Sequence, residues 1–152
     1  VLSVGRFTLE AIPTSMRVLT THWFYEPATR TLFTSETWSF LTSTEPVGPF
    51  SATPPPSEIS ADRIRLSLGA KLDWLRNIDT TPILNDFLKI TEGRAVDRIC
   101  PASGGVIEGR EAVAHVFSET VKALEDISRE PRRSPLAGFD YQEAKAANLV
   151  VG

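Results

Sequence analysis

Residues 17–35 read RVLTTHWFYEPATRTLFTS, and this stretch decides the first half of the fold. The runs from Arg17 to Tyr25 and from Arg30 to Ser35 are rich in β-branched and aromatic residues, which favour β-strands. The segment between them, Glu26 to Thr29 (EPAT), contains a proline and is typical of a turn. Because the connection is so short, we expect the two strands to pair as an antiparallel hairpin.

The segments on either side of this hairpin differ in character. Upstream, Val4 to Ile12 places apolar residues among polar ones and predicts another strand, which ends at a turn beginning with Pro13. Downstream, residues 42–57 hold five prolines among serine, threonine and glycine, a composition typical of a loop. A loop of this length in a compact domain is usually either functional or disordered.

Helical spacing of apolar residues takes over after this Pro-rich loop. A first helix is predicted to run to about Arg76, with Ser57 or Ser60 as its N-cap. A second helix is predicted over 79–93, a short strand over 94–101, and a third helix from about 109 to 127. Strands followed by helices predict an α+β fold, with one domain over 1–128 and a poorly structured tail over 129–152.

Composition and charge exclude several classes of protein. The chain has 152 residues, of which 41% are hydrophobic and 23% charged, as in soluble globular domains. No apolar run reaches the ~18 residues of a membrane span, and a net charge of -3 gives no basic surface for nucleic acid. Cys100 is the single cysteine, so no internal disulfide forms and a cytoplasmic location is expected.

Three stretches, in this order and spacing, carry a family resemblance. They are WFYEP at 23–27, TLFTSETW at 31–38, and ICPASGGVI at 99–107 followed by GREAV at 109–113. Together they resemble the C-terminal half of metallo-β-lactamase-fold proteins, nearest to the oxygen-binding di-iron branch found in flavodiiron proteins. The resemblance covers about residues 2–127. It implies half of an αββα sandwich whose metal pair lies between two similar halves.

The resemblance also places the metal ligands that the second half of that fold supplies. The bridging aspartate of the family falls at Glu36, which keeps a carboxylate but is one methylene longer. The family's last histidine falls at Ser103 and its first near Arg17, neither of which replaces an imidazole. His22, on the same predicted strand as Arg17, is the other candidate ligand. The expected metal is iron, manganese or zinc, held by Glu36 and His22.

Two functions follow from this resemblance. The first is one half of a metal-dependent hydrolase, or of a di-iron oxygen-binding oxidoreductase, acting on a small-molecule substrate; the isolated chain is then expected to be inactive. The family's histidine cluster, His-x-His-x-Asp-His, is absent, since the chain has only His22 and His115, so the sequence reads as the second half of a longer protein. The alternative is a degenerate metal-free domain that acts as a binding or assembly module. Its partner is the N-terminal half or a second copy in a homodimer.

Each candidate residue also has a structural interpretation that involves no chemistry. Glu36 is as readily a solvated residue at a strand end, and His22 a half-buried strand histidine. His115 is expected on the solvated face of the last helix, and Cys100 as an inert thiol in the core. The three tryptophans are core or interface candidates, because a sheet face left without its covering layer would stay apolar and exposed. These residues are Trp23, Trp38 and Trp74.

Overall fold

The computed structural model describes residues 1–16, 22–38, 59–102 and 104–130. The predicted Pro-rich loop 42–57, Arg17, Ser103 and all of the predicted tail beyond Glu130 lie outside these ranges. The described part holds six strands and three α-helices, which confirms the α+β class. In chain order they are β1 (Leu2–Val4), β2 (Phe7–Pro13), β3 (His22–Glu26), β4 (Thr31–Phe33), α1 (Ala61–Lys71), α2 (Thr81–Gly93), β5 (Arg98–Cys100), β6 (Ile107–Glu108) and α3 (Arg110–Arg129).

The six strands form one sheet in which neighbours in sequence are neighbours in space, in the order β1 to β6. Every pair is antiparallel except β4 and β5, which run parallel. Parallel strands need a long crossover, and here α1 and α2 supply it. The predicted β3–β4 hairpin is confirmed, with Phe24 opposite Phe33 and Glu26 opposite Thr31.

The N-terminal strand predicted over Val4 to Ile12 is wrong in its extent. The structure divides this region into β1 and β2, which form a tight hairpin with Val4 opposite Phe7. Gly5 permits the turn, because its φ of 61° lies in the left-handed region that favours glycine. β1 thereby becomes the edge of the sheet.

The helix predicted to reach Arg76 is shorter than expected. Ser60 caps α1 by accepting the Arg63 backbone N–H at 3.3 Å, and the helix ends at Lys71. A short 3₁₀ helix follows at Asp73–Asn77. The break occurs at Leu72, whose φ of -127° and ψ of 53° are not helical. We infer that the change of direction lets both Leu72 and Leu75 enter the core, where each is buried.

The three helices cover one face of the sheet, and the core lies between them. Trp23, Trp38, Phe87 and Phe117 form an aromatic cluster with ring centroids 4.9 to 6.3 Å apart. The Trp38 indole N–H donates to the Thr120 hydroxyl at 2.9 Å. The buried apolar side chains of the helices are Ile64, Leu68, Ile83, Phe87, Ile90, Val113, Val116, Ala123, Leu124 and Ile127. Within the described residues, no helix has the length and apolar character that crossing a membrane requires.

The start of α1 is held by two side chains of α3, and this corrects the expectation for His115. Its ring Nε2 lies 2.8 Å from the Ile59 carbonyl oxygen, so the histidine is half-buried rather than on a solvated face. One turn later, Glu119 accepts the Ala61 backbone N–H at 2.8 Å. Hydrogen bonds from Lys122 and Ala61 lower the pKa of the Glu119 carboxyl. These contacts fix where the chain enters α1.

Candidate functional site

Glu36, the first predicted metal ligand, lies in a turn directly after β4. The turn is closed by the Thr37 N–H, which donates to the Thr34 carbonyl at 3.1 Å, and Ser35 has a φ of 52°. The Glu36 side chain is 57% exposed and lies 3.8 Å from the Lys71 ammonium group. An exposed carboxylate beside a lysine resembles a surface ion pair, which contributes little to stability.

His22, the second predicted ligand, is the first residue of β3 and is exposed. It lies opposite Pro13 of β2. Because β3 and β4 are antiparallel, the start of β3 and the end of β4 lie at the same end of the sheet, so His22 and Glu36 share that end. The fold therefore places the two predicted metal ligands at the same end of the sheet, as two ligands of one metal ion must be.

The described residues do not supply the rest of a metal centre. Across 1–16, 22–38, 59–102 and 104–130, no three His, Cys, Asp or Glu side chains come close enough together to hold a metal ion. A stable protein site for iron, manganese or zinc takes more donors than Glu36 and His22 provide. The donor set in this part of the chain therefore does not fit a di-metal centre, and no metal-dependent step follows from it.

The sheet face that points away from the helices carries a second candidate site. Residues opposite one another on paired strands point to the same face, and the face alternates along each strand. Trp23, Tyr25 and Leu32 point into the core, so their neighbours Phe24 and Phe33 point outward. We call the apolar residues of this outward side the open face: Leu2, Val4, Phe7, Leu9, Ala11, Phe24, Phe33 and Cys100.

The open face is apolar across five adjacent strands. Ala11, Phe24, Phe33 and Cys100 lie opposite one another in a single row from β2 to β5. Four larger side chains on β1, β2 and β4 are substantially exposed: Leu2 at 51%, Val4 at 57%, Phe7 at 44% and Phe33 at 41%. The prediction of a core thiol at Cys100 is wrong, because Cys100 is only half-buried in the outward row, although burial raises the pKa of its thiol.

The strand register places Glu26, Arg98 and Glu108 at one end of this side of the sheet, and the Arg6 guanidinium lies 5.2 Å from the centroid of the Phe7 ring at another position. The Glu26 carboxylate accepts the Thr29 hydroxyl and the backbone N–H groups of Ala28 and Thr29, and these hydrogen bonds lower its pKa. Arg98 forms an ion pair with Glu108 across β5 and β6. The charged groups of Glu26, Arg98 and Glu108 therefore have partners within the chain, whereas Arg6 contacts the open face through the ring of Phe7.

A surface cleft of about 420 Å³ lies between the end of β2 and α2. Ser15 donates a hydrogen bond to the Asp86 carboxylate, which also lies 3.9 Å from the Lys89 ammonium group. At the other end, Arg94 binds Glu10 at 3.1 Å. The charged residues that line the cleft, Asp86, Lys89 and Arg94, therefore each lie within 4 Å of a group of opposite sign.

No protein-family model, curated protein or solved structure matches this chain. The function of the chain is therefore inferred from the geometry of its own structure. Trp23 and Trp38 are buried in the core, and Trp74 packs half-buried against it. The aromatic residues on the open face are phenylalanines, and the three tryptophans that the sequence predicted as core or interface residues are not among them.

Proposed function

We propose that this chain is an assembly module whose open face packs against a second protein layer. The observation that carries the proposal is the contrast between the two faces of the sheet, one closed by three helices and the other apolar and exposed. Contiguous apolar patches on a protein surface mark interaction sites more often than chance. Of the two functions predicted from the sequence, the geometry thus favours the second, in which the chain is a degenerate metal-free domain that acts as a binding or assembly module.

The amino-acid composition of the strands supports the proposal that a second protein layer covers the open face. A sheet with one covered face usually alternates apolar residues inward with polar residues outward. β3 instead reads Trp-Phe-Tyr at 23–25, β4 has Leu32 next to Phe33, and β5 has Ile99 next to Cys100. Strands that are apolar on both faces are typical of sheets covered on both sides.

The resemblance to half of an αββα sandwich agrees with this proposal. A sheet with helices on one face and an apolar opposite face has the layer order that one half of such a sandwich would need. The second layer could then complete a four-layer structure, in which two sheets pack about 10 Å apart. The metal-dependent hydrolase or di-iron activity implied by the same resemblance stays a prediction.

The open face can be probed with the dye anilinonaphthalene sulfonate, which fluoresces on exposed apolar surface. In dilute folded protein we expect dye binding that Phe33→Lys reduces several-fold. Leu88→Lys is the matched control, because Leu88 is 47% exposed but lies on α2. The proposal would be contradicted if the wild-type chain bound no dye. It would also be contradicted if Leu88→Lys reduced dye binding as much as Phe33→Lys does.

Elemental mass spectrometry on the same preparations decides between the two functions. The assembly module is expected to be folded with far less than one metal ion per chain. Stoichiometric iron, manganese or zinc that disappears in Glu36→Ala would instead establish a metal centre. His22→Ala would then be the next variant to measure.

A further inference from the structure

We infer that the cleft between the end of β2 and α2 binds a small organic anion, in which a carboxylate or phosphate group is attached to an apolar body. The cleft has a volume of about 420 Å³, near the lower end of the roughly 300–1,000 Å³ that is typical of small-molecule sites. It shares no lining residue with the open face. Binding in the cleft is therefore independent of the assembly function proposed above.

The inner wall of the cleft is apolar. Ile12 of β2 and Ile90 of α2 line it, and both side chains are buried as members of the hydrophobic core. Pro13, which follows Ile12, adds a further apolar ring to the lining. Apolar ligand surface that packs against these side chains is removed from water, and this removal favours binding. A ligand of this cleft is therefore expected to have an apolar part.

Arg94 presents hydrogen-bond donors to the cleft from a fixed position. Its Nε donates to the Glu10 carboxylate at 3.1 Å, and its guanidinium carbon lies 5.9 Å from the centroid of the Tyr25 ring. These two contacts hold the guanidinium group in place and use one of its five N–H donors. Within the part of the chain that the structure describes, no acceptor is bound to its Nη1 or Nη2 atoms. Such paired N–H groups match the two oxygens of a carboxylate or phosphate.

Lys89 adds a second cationic donor at the edge of the cleft. Its ammonium group lies 3.9 Å from the Asp86 carboxylate, which is longer than a hydrogen bond, and the Asp86 carboxylate accepts the Ser15 hydroxyl. The charges of Glu10, Asp86, Lys89 and Arg94 sum to zero, so recognition depends on the N–H donors of Lys89 and Arg94 rather than on net charge. An anionic oxygen accepts such charged donors more strongly than a neutral one does. A cationic ligand would instead meet these two side chains as like charges.

Amide chemical shifts of the labelled chain, measured by NMR during titration with four probes, test this assignment. Benzoate and phenyl phosphate are the anionic probes, and we expect at least one of them to bind with a dissociation constant on the order of 1 mM. The amides of Ser15, Ile90 and Arg94 should shift, and that of Phe33 on the open face should not. Benzyl alcohol, which lacks the charge, and inorganic phosphate, which lacks the ring, should each bind roughly tenfold more weakly. The tighter of the two anionic probes identifies the preferred anionic group.

Substitutions at the two cations locate the bound anion. Arg94→Gln is expected to weaken binding of the tighter probe roughly tenfold, and Lys89→Gln roughly threefold, because Lys89 is more exposed. Arg110→Gln is the matched control, since Arg110 also pairs with a carboxylate through its Nε, at 3.2 Å from Asp97, but lies outside the cleft. It should leave binding unchanged. Circular dichroism of the three variants establishes that they are folded, and Lys89→Gln carries the test if Arg94→Gln is not.

Three results would overturn the anion site. The first is that neither benzoate nor phenyl phosphate shifts the amides of the cleft at concentrations up to about 10 mM. The second is that benzyl alcohol or inorganic phosphate binds as tightly as the anionic probes do. The third is that the folded cleft variants bind the tighter probe as the wild-type chain and Arg110→Gln do.

Discussion

Leu32→Ala is expected to lower the free energy of unfolding by about 2–5 kcal/mol, whereas Phe33→Ala changes it by less than about 1 kcal/mol. The two residues are neighbours on β4 and point to opposite faces of the sheet. Leu32 is fully buried under the helices, so its truncation leaves a cavity. Phe33 is 41% exposed, and in the dilute monomer its truncation removes little packing.

Urea unfolding of both variants in dilute protein, followed by tryptophan fluorescence, measures this contrast. Ile99→Ala serves as a second buried control, because Ile99 lies opposite Leu32 on β5 and is also fully buried. Equal losses at Leu32 and Phe33 would mean that both faces of the sheet are packed within one chain. The assignment of the open face would then be wrong.

Trp38→Ala is expected to cost about 3–5 kcal/mol of unfolding free energy, the range for removing a large buried aromatic side chain. Trp38 contacts Trp23, Phe87 and Phe117 at centroid distances of 5.3 to 5.6 Å and so joins β3, α2 and α3. It is only 1% exposed. Its truncation would therefore open a cavity at the junction of these elements.

The hydrogen bond from Trp38 to Thr120 can be measured separately. Thr120→Val keeps the shape of the side chain but leaves the buried indole N–H without its acceptor, at a cost of about 1–3 kcal/mol. In Trp38→Phe that N–H is gone, so adding Thr120→Val should cost less than it does in the wild-type background. A double-mutant cycle with no coupling between the two positions would show that this bond contributes nothing.

The sequence predicted elements that depend on local patterns. The β3–β4 hairpin and the three helices follow from strand propensity, a short proline-containing turn and helical spacing of apolar residues. Several boundaries were missed: the strand predicted over 94–101 is only Arg98–Cys100, and the first strand and first helix also differ from their predicted extents. Gly5 divides the first strand because it alone of its neighbours adopts a positive φ readily, and α1 ends at Lys71, before Leu72, whose backbone is not helical.

The candidate site was only partly readable from the sequence. Antiparallel pairing was enough to bring His22 and Glu36 to one end of the sheet. The proximity of Lys71 to Glu36, and the contact of His115 with the Ile59 carbonyl, join residues far apart in sequence and depend on how the helices pack. The sequence also could not predict which face of β3 is left uncovered by the helices, because Trp23, Phe24 and Tyr25 are all apolar.

The central claim is that the open face is accessible to solvent in the folded chain. Cys100, the single cysteine, lies in the apolar row and reports on this directly. At one fixed alkaline pH, its alkylation by iodoacetamide is expected to proceed in the folded protein and to be faster in Phe33→Ala, which removes the side chain opposite it. In Leu88→Ala, on α2, the rate should equal that of the wild-type chain. A wild-type thiol that is alkylated only under unfolding conditions would contradict the account.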